Sequence, residues 1–331
     1  MKKITALFLA TVLVAVLFTG CGTTTGDTVK TGLAVITSVL KSKDAGETSG
    51  LAQADSTIIA VTVDGKGKIT DCVIDAVQTK VDFTASGEIT TALDSVIMTK
   101  NELGTEYGMK GSSSIGKEWS EQAASFAQYV VGKTVSEVKG ISVTEDGYAA
   151  AADLKASVTI HVTDFITGVE KAAANAADLG AKTGEKLRLA TVTNIESSKN
   201  ATAQETGLAQ IYSTYVALTQ DSSGKITSCV FDSSQSNINF DAAGKITTDL
   251  TVAPKTKNEL KEAYGMGAKS SIGKEWYQQA ASFAAYVKGK TVAEVKGIAV
   301  SESGQATDAD LSASVTIHVT DFINLIDKAA D

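Results

Sequence analysis

The run Ala156-Ser-Val-Thr-Ile-His-Val-Thr-Asp-Phe-Ile166 returns unchanged as Ala313–Ile323. Working outward from it, Gly50–Ala174 aligns with Gly207–Asp331 without a gap, pairing Cys72 with Cys229, Tyr107 with Tyr264, Trp119 with Trp276 and His161 with His318. A repeat of that length is domain-sized, far longer than a solenoid unit, so the chain reads as two globular copies of one fold.

Each copy opens with strand patterns. Leu33–Leu40, Thr57–Val63 and Ile69–Ala76 are the candidates in the first copy, and Leu189–Ile195, Thr214–Gln220 and Ile226–Ser233 in the second. Asp64-Gly-Lys-Gly67 and Thr84-Ala-Ser-Gly87 supply turn chemistry, which makes an antiparallel meander. Helical patterns follow. Ile115, Trp119, Ala123, Phe126 and Val130 share one face, predicting a helix over 115–130 with Ser114 as its N-cap; Ile272–Val287 and Ser271 repeat it. On that spacing Trp119 and Trp276 are core anchors. Thr134-Val-Ser-Glu137 and Thr291-Val-Ala-Glu294 are capping boxes, each starting a short helix. Ser157–Thr163 alternates like a strand yet precedes helical spacing, and a helix is expected from about Asp164. Strands then helices, without a βαβ rhythm, make the fold α+β: two tandem copies of a small antiparallel sheet plus helices. The expected bounds are 30–178 and 179–331.

The first residues read as an address. Lys2 and Lys3 precede an apolar run, Ile4–Phe18, that ends at Thr19-Gly20-Cys21. The run is shorter than the ~20 apolar residues of a membrane span and matches a secretory signal over 1–20. Cys21 after a small residue resembles a bacterial lipobox, with Phe18 where Leu is usual. Lipid on the Cys21 sulfur would anchor the protein to the cell membrane from outside, and residues 21–29 would be a polar tether.

The chain carries 30 basic and 38 acidic residues for a net charge of −8, with Arg188 its only arginine, so nucleic-acid binding has no support. The remaining cysteines, Cys72 and Cys229, hold equivalent strand positions and read as small buried hydrophobes, a disulfide being the other option. There is no Ser-His-Asp layout, no paired-carboxylate motif, no phosphate-binding glycine loop and no metal-ligand spacing. His161 lies near Asp164 as His318 does near Asp321, a capping or structural arrangement more than a catalytic one.

Several blocks carry a resemblance. They are Tyr107–Met109 with Ser113–Trp119, Tyr264–Met266 with Ser270–Trp276, Val131–Ile141, and Asp153–Thr159 with its echo Asp310–Thr316. Through them the chain, from Thr31 to its end, resembles extracellular FMN-binding lipoproteins of Gram-positive bacteria. In such families a flavin transferase joins FMN to a Ser or Thr by a phosphoester, at the last position of Asp-x-x-Ser/Thr-Gly-Ala-Ser/Thr. Asp308, Ala313 and Ser314 match that motif, while Leu311 and Ser312 depart from it. In the first copy Ser157 and Ala156 match, while Ala151, Leu154 and Lys155 depart. Thr159 and Thr316 are the alternative acceptors. Tyr107, Met109, Tyr264 and Met266 are the candidates for the flat ring of the cofactor.

The resemblance implies a membrane-anchored redox carrier with covalent FMN on each copy. It would take electrons from a membrane dehydrogenase or the quinone pool and relay them to extracellular acceptors. A non-redox ligand- or peptide-binding surface lipoprotein is the alternative, and a purely structural surface protein a third reading. On the motif, the second copy is expected to take flavin more readily than the first.

Overall fold

The computed structural model describes residues 27–330. The apolar leader, Cys21 and the start of the tether lie outside the described residues. The first copy runs β1 (Lys30–Ser38), β2 (Gly50–Val63), β3 (Ile69–Phe83), α1 (Lys100–Leu103), α2 (Trp119–Val130), α3 (Val135–Lys139), α4 (Ala152–Lys155) and α5 (Thr163–Ala174). The second repeats it as β4 (Lys186–Asn194), β5 (Gly207–Gln220), β6 (Ile226–Phe240), α6 (Lys257–Leu260), α7 (Trp276–Val287), α8 (Val292–Lys296), α9 (Ala309–Ser312) and α10 (Thr320–Ala330). Each sheet is a three-stranded antiparallel meander, in order β1-β2-β3 and β4-β5-β6. The α+β class and the tandem sheet-then-helix plan therefore hold.

Two features differ from the sequence expectation. The central strands are longer: β2 begins at Gly50 and β3 runs on to Phe83. The polar residues over 53–56 hid this, and they are accommodated by pairing; Thr37 and Ser56 hydroxyls, both buried, lie 2.9 Å apart across the strands. The other difference is the start of the long helix. Ser114 and Ser271 are not its caps. Gly116 sits at φ +63°, which a continuing right-handed helix excludes, and the helix begins at Trp119 with Glu118 as N-cap in a reciprocal box with Glu121. Ile115 lies outside it.

Both faces of each sheet are buried, which is why the strands read as near-continuous apolar runs. In the first copy one face carries Ala34, Ile59, Ile74 and Ala76 against Trp119, Phe126, Phe165 and Val169 of its own helices. The other face meets the second sheet: Leu33, Val35, Ile58, Ala60 and Val77 pack with Leu187, Tyr215 and Ala217. Phe83 stacks on Phe240 with centroids 4.2 Å apart and planes 9° apart. The layers are thus helix, sheet, sheet, helix.

Contacts across the seam come in matched pairs. Ala45 N–H donates to Gly244 O and Ala201 N–H to Gly87 O, both at 2.8 Å. Lys171 pairs with Glu259 at 2.6 Å, and Lys328 with Glu102. Such reciprocity is the signature of an isologous two-fold interface, here inside one chain. After α5 the chain turns back onto its own start, with Thr31 N–H donating to Ala177 O and Val29 N–H to Ala181 O.

Candidate functional site

The same cleft occurs in each copy. In the first it is walled by the end of β1, the middle of β2 and β3, Lys100 of α1, Tyr107, Met109, Trp119 and the chain from Thr159 to Phe165, enclosing about 550 Å³. In the second, Lys257, Tyr264, Met266, Trp276 and the chain from Thr316 to Phe322 enclose about 1000 Å³. Both volumes suit a drug-sized or cofactor-sized ligand. A further cavity of about 670 Å³ lies between the copies, near Leu33, Val35, Phe231 and Ala284. Its Lys171 and Glu259 are already paired to each other, so the repeated clefts are the stronger candidates.

The cleft wall is built by three devices. The first is Glu118, a buried carboxylate that accepts from the backbone N–H of Met109 (2.9 Å) and Lys110 (3.0 Å) and pins the Tyr107–Met109 loop to the start of α2. Glu275 does the same for Met266 and Gly267.

The second device is Gln122, fully buried on α2. Its amide nitrogen donates to Ser113 Oγ (3.2 Å) and Lys117 O (3.1 Å) and lies 3.8 Å from Met109 Sδ. Its carbonyl oxygen accepts from Thr159 N (2.8 Å) and Thr159 Oγ1 (3.1 Å). Gln279 repeats each contact around Met266 and Thr316. The third is the capping box of Thr99 and Glu102, which fixes the short helix that carries Lys100.

These devices bring together Tyr107, Met109 and Thr159 in one cleft and Tyr264, Met266 and Thr316 in the other. Ser157 and Ser314 lie apart from the lining. Their hydroxyls donate to Leu154 O (3.2 Å) and Leu311 O (3.1 Å) at the ends of α4 and α9. Asp308 also lies apart: it is the N-cap of α9, accepting from Asp310 N and Leu311 N. Trp119 and Trp276 are both buried anchors and cleft residues, each packed edge-on against Phe165 or Phe322 at 5.8 Å.

Sequence reasoning missed the lysines, Gln122, Gln279, Glu118 and Glu275. The signals were present: a glutamine stands on the apolar stripe between Trp119 and Ala123, and Thr-Lys-Asn-Glu-Leu is repeated at Thr99 and Thr256.

The electrostatics differ between the clefts. Lys257 is 3% exposed; its ammonium lies 4.6 Å from the ring centroids of Tyr212 and Tyr264 and 4.9 Å from that of Trp276, and donates to Tyr212 Oη at 2.8 Å. Lys100 is half-buried over Tyr107 and Trp119. Where the second copy has Tyr212 the first has Asp55. Burial works against the Asp55 charge, but hydrogen bonds from Lys41, Gln53 and Gln78 prevail and hold it below the usual carboxylate range. Tyr148 packs against His161 in the smaller cleft with ring centroids 4.1 Å apart and planes tilted by 38°, whereas Gln305 takes its place in the larger one and donates to Thr316 O.

Two buried carboxylates stand beneath α1 and α6. Burial pushes Asp75 and Asp232 up to about 6, against hydrogen bonds from Thr99 or Thr256 and from neighbouring backbone amides. Cys72 and Cys229 are free buried thiols, and burial raises both well above the ordinary thiol range, so neither is a reactive nucleophile. Among the described residues no cluster of side chains is arranged to hold a metal ion, and no helix is long and apolar enough to cross a membrane.

No protein-family model matches the chain, and no solved structure matches it. Among curated proteins it is similar to chlorophenol reductase of Desulfitobacterium hafniense, with 54% identity over 41 residues. That stretch spans 12% of this chain and 12% of the relative.

Proposed function

We propose that the protein is an extracytoplasmic flavoprotein electron carrier, anchored to the membrane through Cys21 and holding one FMN in each cleft. The observation that carries this reading is the repetition of one lining: a Tyr, a Met and a Trp beside a Lys and a Thr hydroxyl, in both copies. Aromatic and thioether surfaces suit a flat apolar ring system, and an ammonium suits phosphate or a polarised carbonyl.

Bound FMN supplies the reversible uptake of electrons; the protein binds, orients and tunes it. In this reading Tyr107, Met109 and Trp119, or Tyr264, Met266 and Trp276, hold the ring. Lys100 or Lys257 faces its anionic or carbonyl edge. Thr159 and Thr316 become the preferred phosphoester acceptors, because they line the clefts and Ser157 and Ser314 do not. A flavin transferase would install the group. A membrane dehydrogenase or the quinone pool would supply electrons, and acceptors outside the cell would take them.

Intact-mass measurement on protein from its native host tests the proposal. One or two FMN adducts are expected, and peptide mapping is expected to find them on Thr316 or Thr159. Colourless protein without an adduct would overturn it in favour of a non-redox binding lipoprotein.

A further inference from the structure

The position shared by Asp55 and Tyr212 separates the two clefts, and it bears directly on a buried cation. Lys257 has three N–H donors, yet one hydrogen-bond acceptor is provided for them, the Tyr212 hydroxyl. Among the described residues it takes part in no ion pair, although Glu196 and Asp321 line the same cleft. The three surrounding rings stabilise the ammonium without neutralising it. A charge so desolvated is costly unless something completes its coordination. It forms part of the wall of an open cleft, where water or the acceptor of a ligand can complete its coordination. The aromatic and thioether neighbours define such a ligand further as flat and apolar beyond its charged group.

The first cleft answers differently. Asp55 brings a carboxylate into the wall, bound to Lys41 at 2.8 Å, and Lys41 is thereby engaged. Each cleft is lined by two carboxylates, Asp55 and Asp164 in the first and Glu196 and Asp321 in the second, so the difference lies in placement: at the position of Tyr212 an incoming anion meets the Lys41-paired Asp55, and its cation is the partly solvated Lys100.

We propose that residue 55/212 sets the selectivity of the two clefts, making the second the tighter site for a planar aromatic anion, with Lys257 as the group that receives the anion. The proposal rests on the reading of both clefts as sites for a flat ring ligand, and FMN is one member of that class. With Lys41 offsetting part of its charge, Asp55 is expected to weaken anion binding by up to about tenfold.

Reciprocal exchange tests it, because each variant installs the residue that the other copy already tolerates. The full chain, expressed without a flavin transferase, is titrated with FMN and with uncharged riboflavin by flavin fluorescence. Benzoate and benzamide are titrated in parallel by calorimetry. Wild type is expected to bind FMN at two sites of unequal affinity, with riboflavin discriminating far less. Tyr212→Asp should lower the tighter site to the level of the weaker one, and Asp55→Tyr should raise the weaker site. Should Tyr212→Asp fail to fold, the rise in Asp55→Tyr decides alone. Equal sites in wild type, or affinities that neither exchange moves, overturn the inference while leaving flavin binding intact. If FMN fails to bind but benzoate binds over benzamide and responds to the exchanges, the anion site stands and the flavin reading falls. If no probe binds, both fall.

Discussion

Gln122 and Gln279 show how a single buried amide can organise a site. Each joins the methionine loop, the turn before the long helix and the irregular segment that carries Thr159 or Thr316 through one side chain with every polar atom used. Gln122→Leu keeps the volume but leaves the Thr159 N–H without its acceptor. It should cost about 1–3 kcal/mol in urea unfolding, with an unchanged denaturant slope. Asp75 and Asp232 give the molecule a pH signature of the opposite sense from ordinary acid denaturation. Their folded-state pKa of about 6 lies above the unfolded carboxylate value near 4, so the folded state binds more protons between those limits. Their contribution is fully present below about pH 4 and is lost as the pH rises to 6. Carboxylates held low, such as Asp55 and Glu259, act in the other direction. The difference between wild type and the Asp75→Asn/Asp232→Asn double variant isolates the effect: the variant should gain stability relative to wild type from pH 4 to 6. A difference curve that stays flat would refute the assignment.

Elements in this protein are held as much by their ends as by their faces. Glu118 caps α2 and also holds two amides of the Met109 loop, so Glu118→Ala should cost about 1–2 kcal/mol and speed amide exchange at Met109 and Lys110. Exchange confined to the first turn of α2 would mean that the loop is held by something else. This double duty also explains how much of the fold was legible. The meander, the boxes at Thr134 and Thr291 and the apolar faces of α2 and α7 from Trp119 and Trp276 onward are local, periodic signals and are present; Ile115 and Ile272, read into those faces, lie outside the helices. The extension of β2 through Gln53, Asp55 and Ser56 was not legible, because its support includes the Thr37–Ser56 hydroxyl pair and the Gln78–Asp55 contact, both with residues distant in sequence. Ser114 looked like a cap on spacing alone, and the left-handed turn at Gly116 decided against it. In the site, the Tyr and Met were legible as types suited to a ring ligand, and the Thr as alternative acceptors of its phosphate. The lysines were not, because a Lys within a capping-box motif looks like an exposed helix residue until the rings around it are found, two at Lys100 and three at Lys257.

At the scale of the whole molecule, the seam between the sheets is a core in its own right, with Phe83, Phe240, Tyr215, Ile58 and Ala60 fully buried in the chain. Phe83→Ala removes one side of a stacked pair and should cost about 3–5 kcal/mol, as a large-to-small core change does. Severing the chain at residues 183–184 should leave two fragments that stay bound to each other through a chromatographic step. Fragments that separate freely as stable monomers would show the seam to be dispensable. The matched contacts across it also bear on the difference between the clefts. A single unit with one sheet face so apolar would be expected to pair with a second copy, and symmetry would then make both clefts identical. Within one chain no symmetry ties the two clefts together, so Asp55 and Tyr212 are free to differ, and one fold carries two kinds of site.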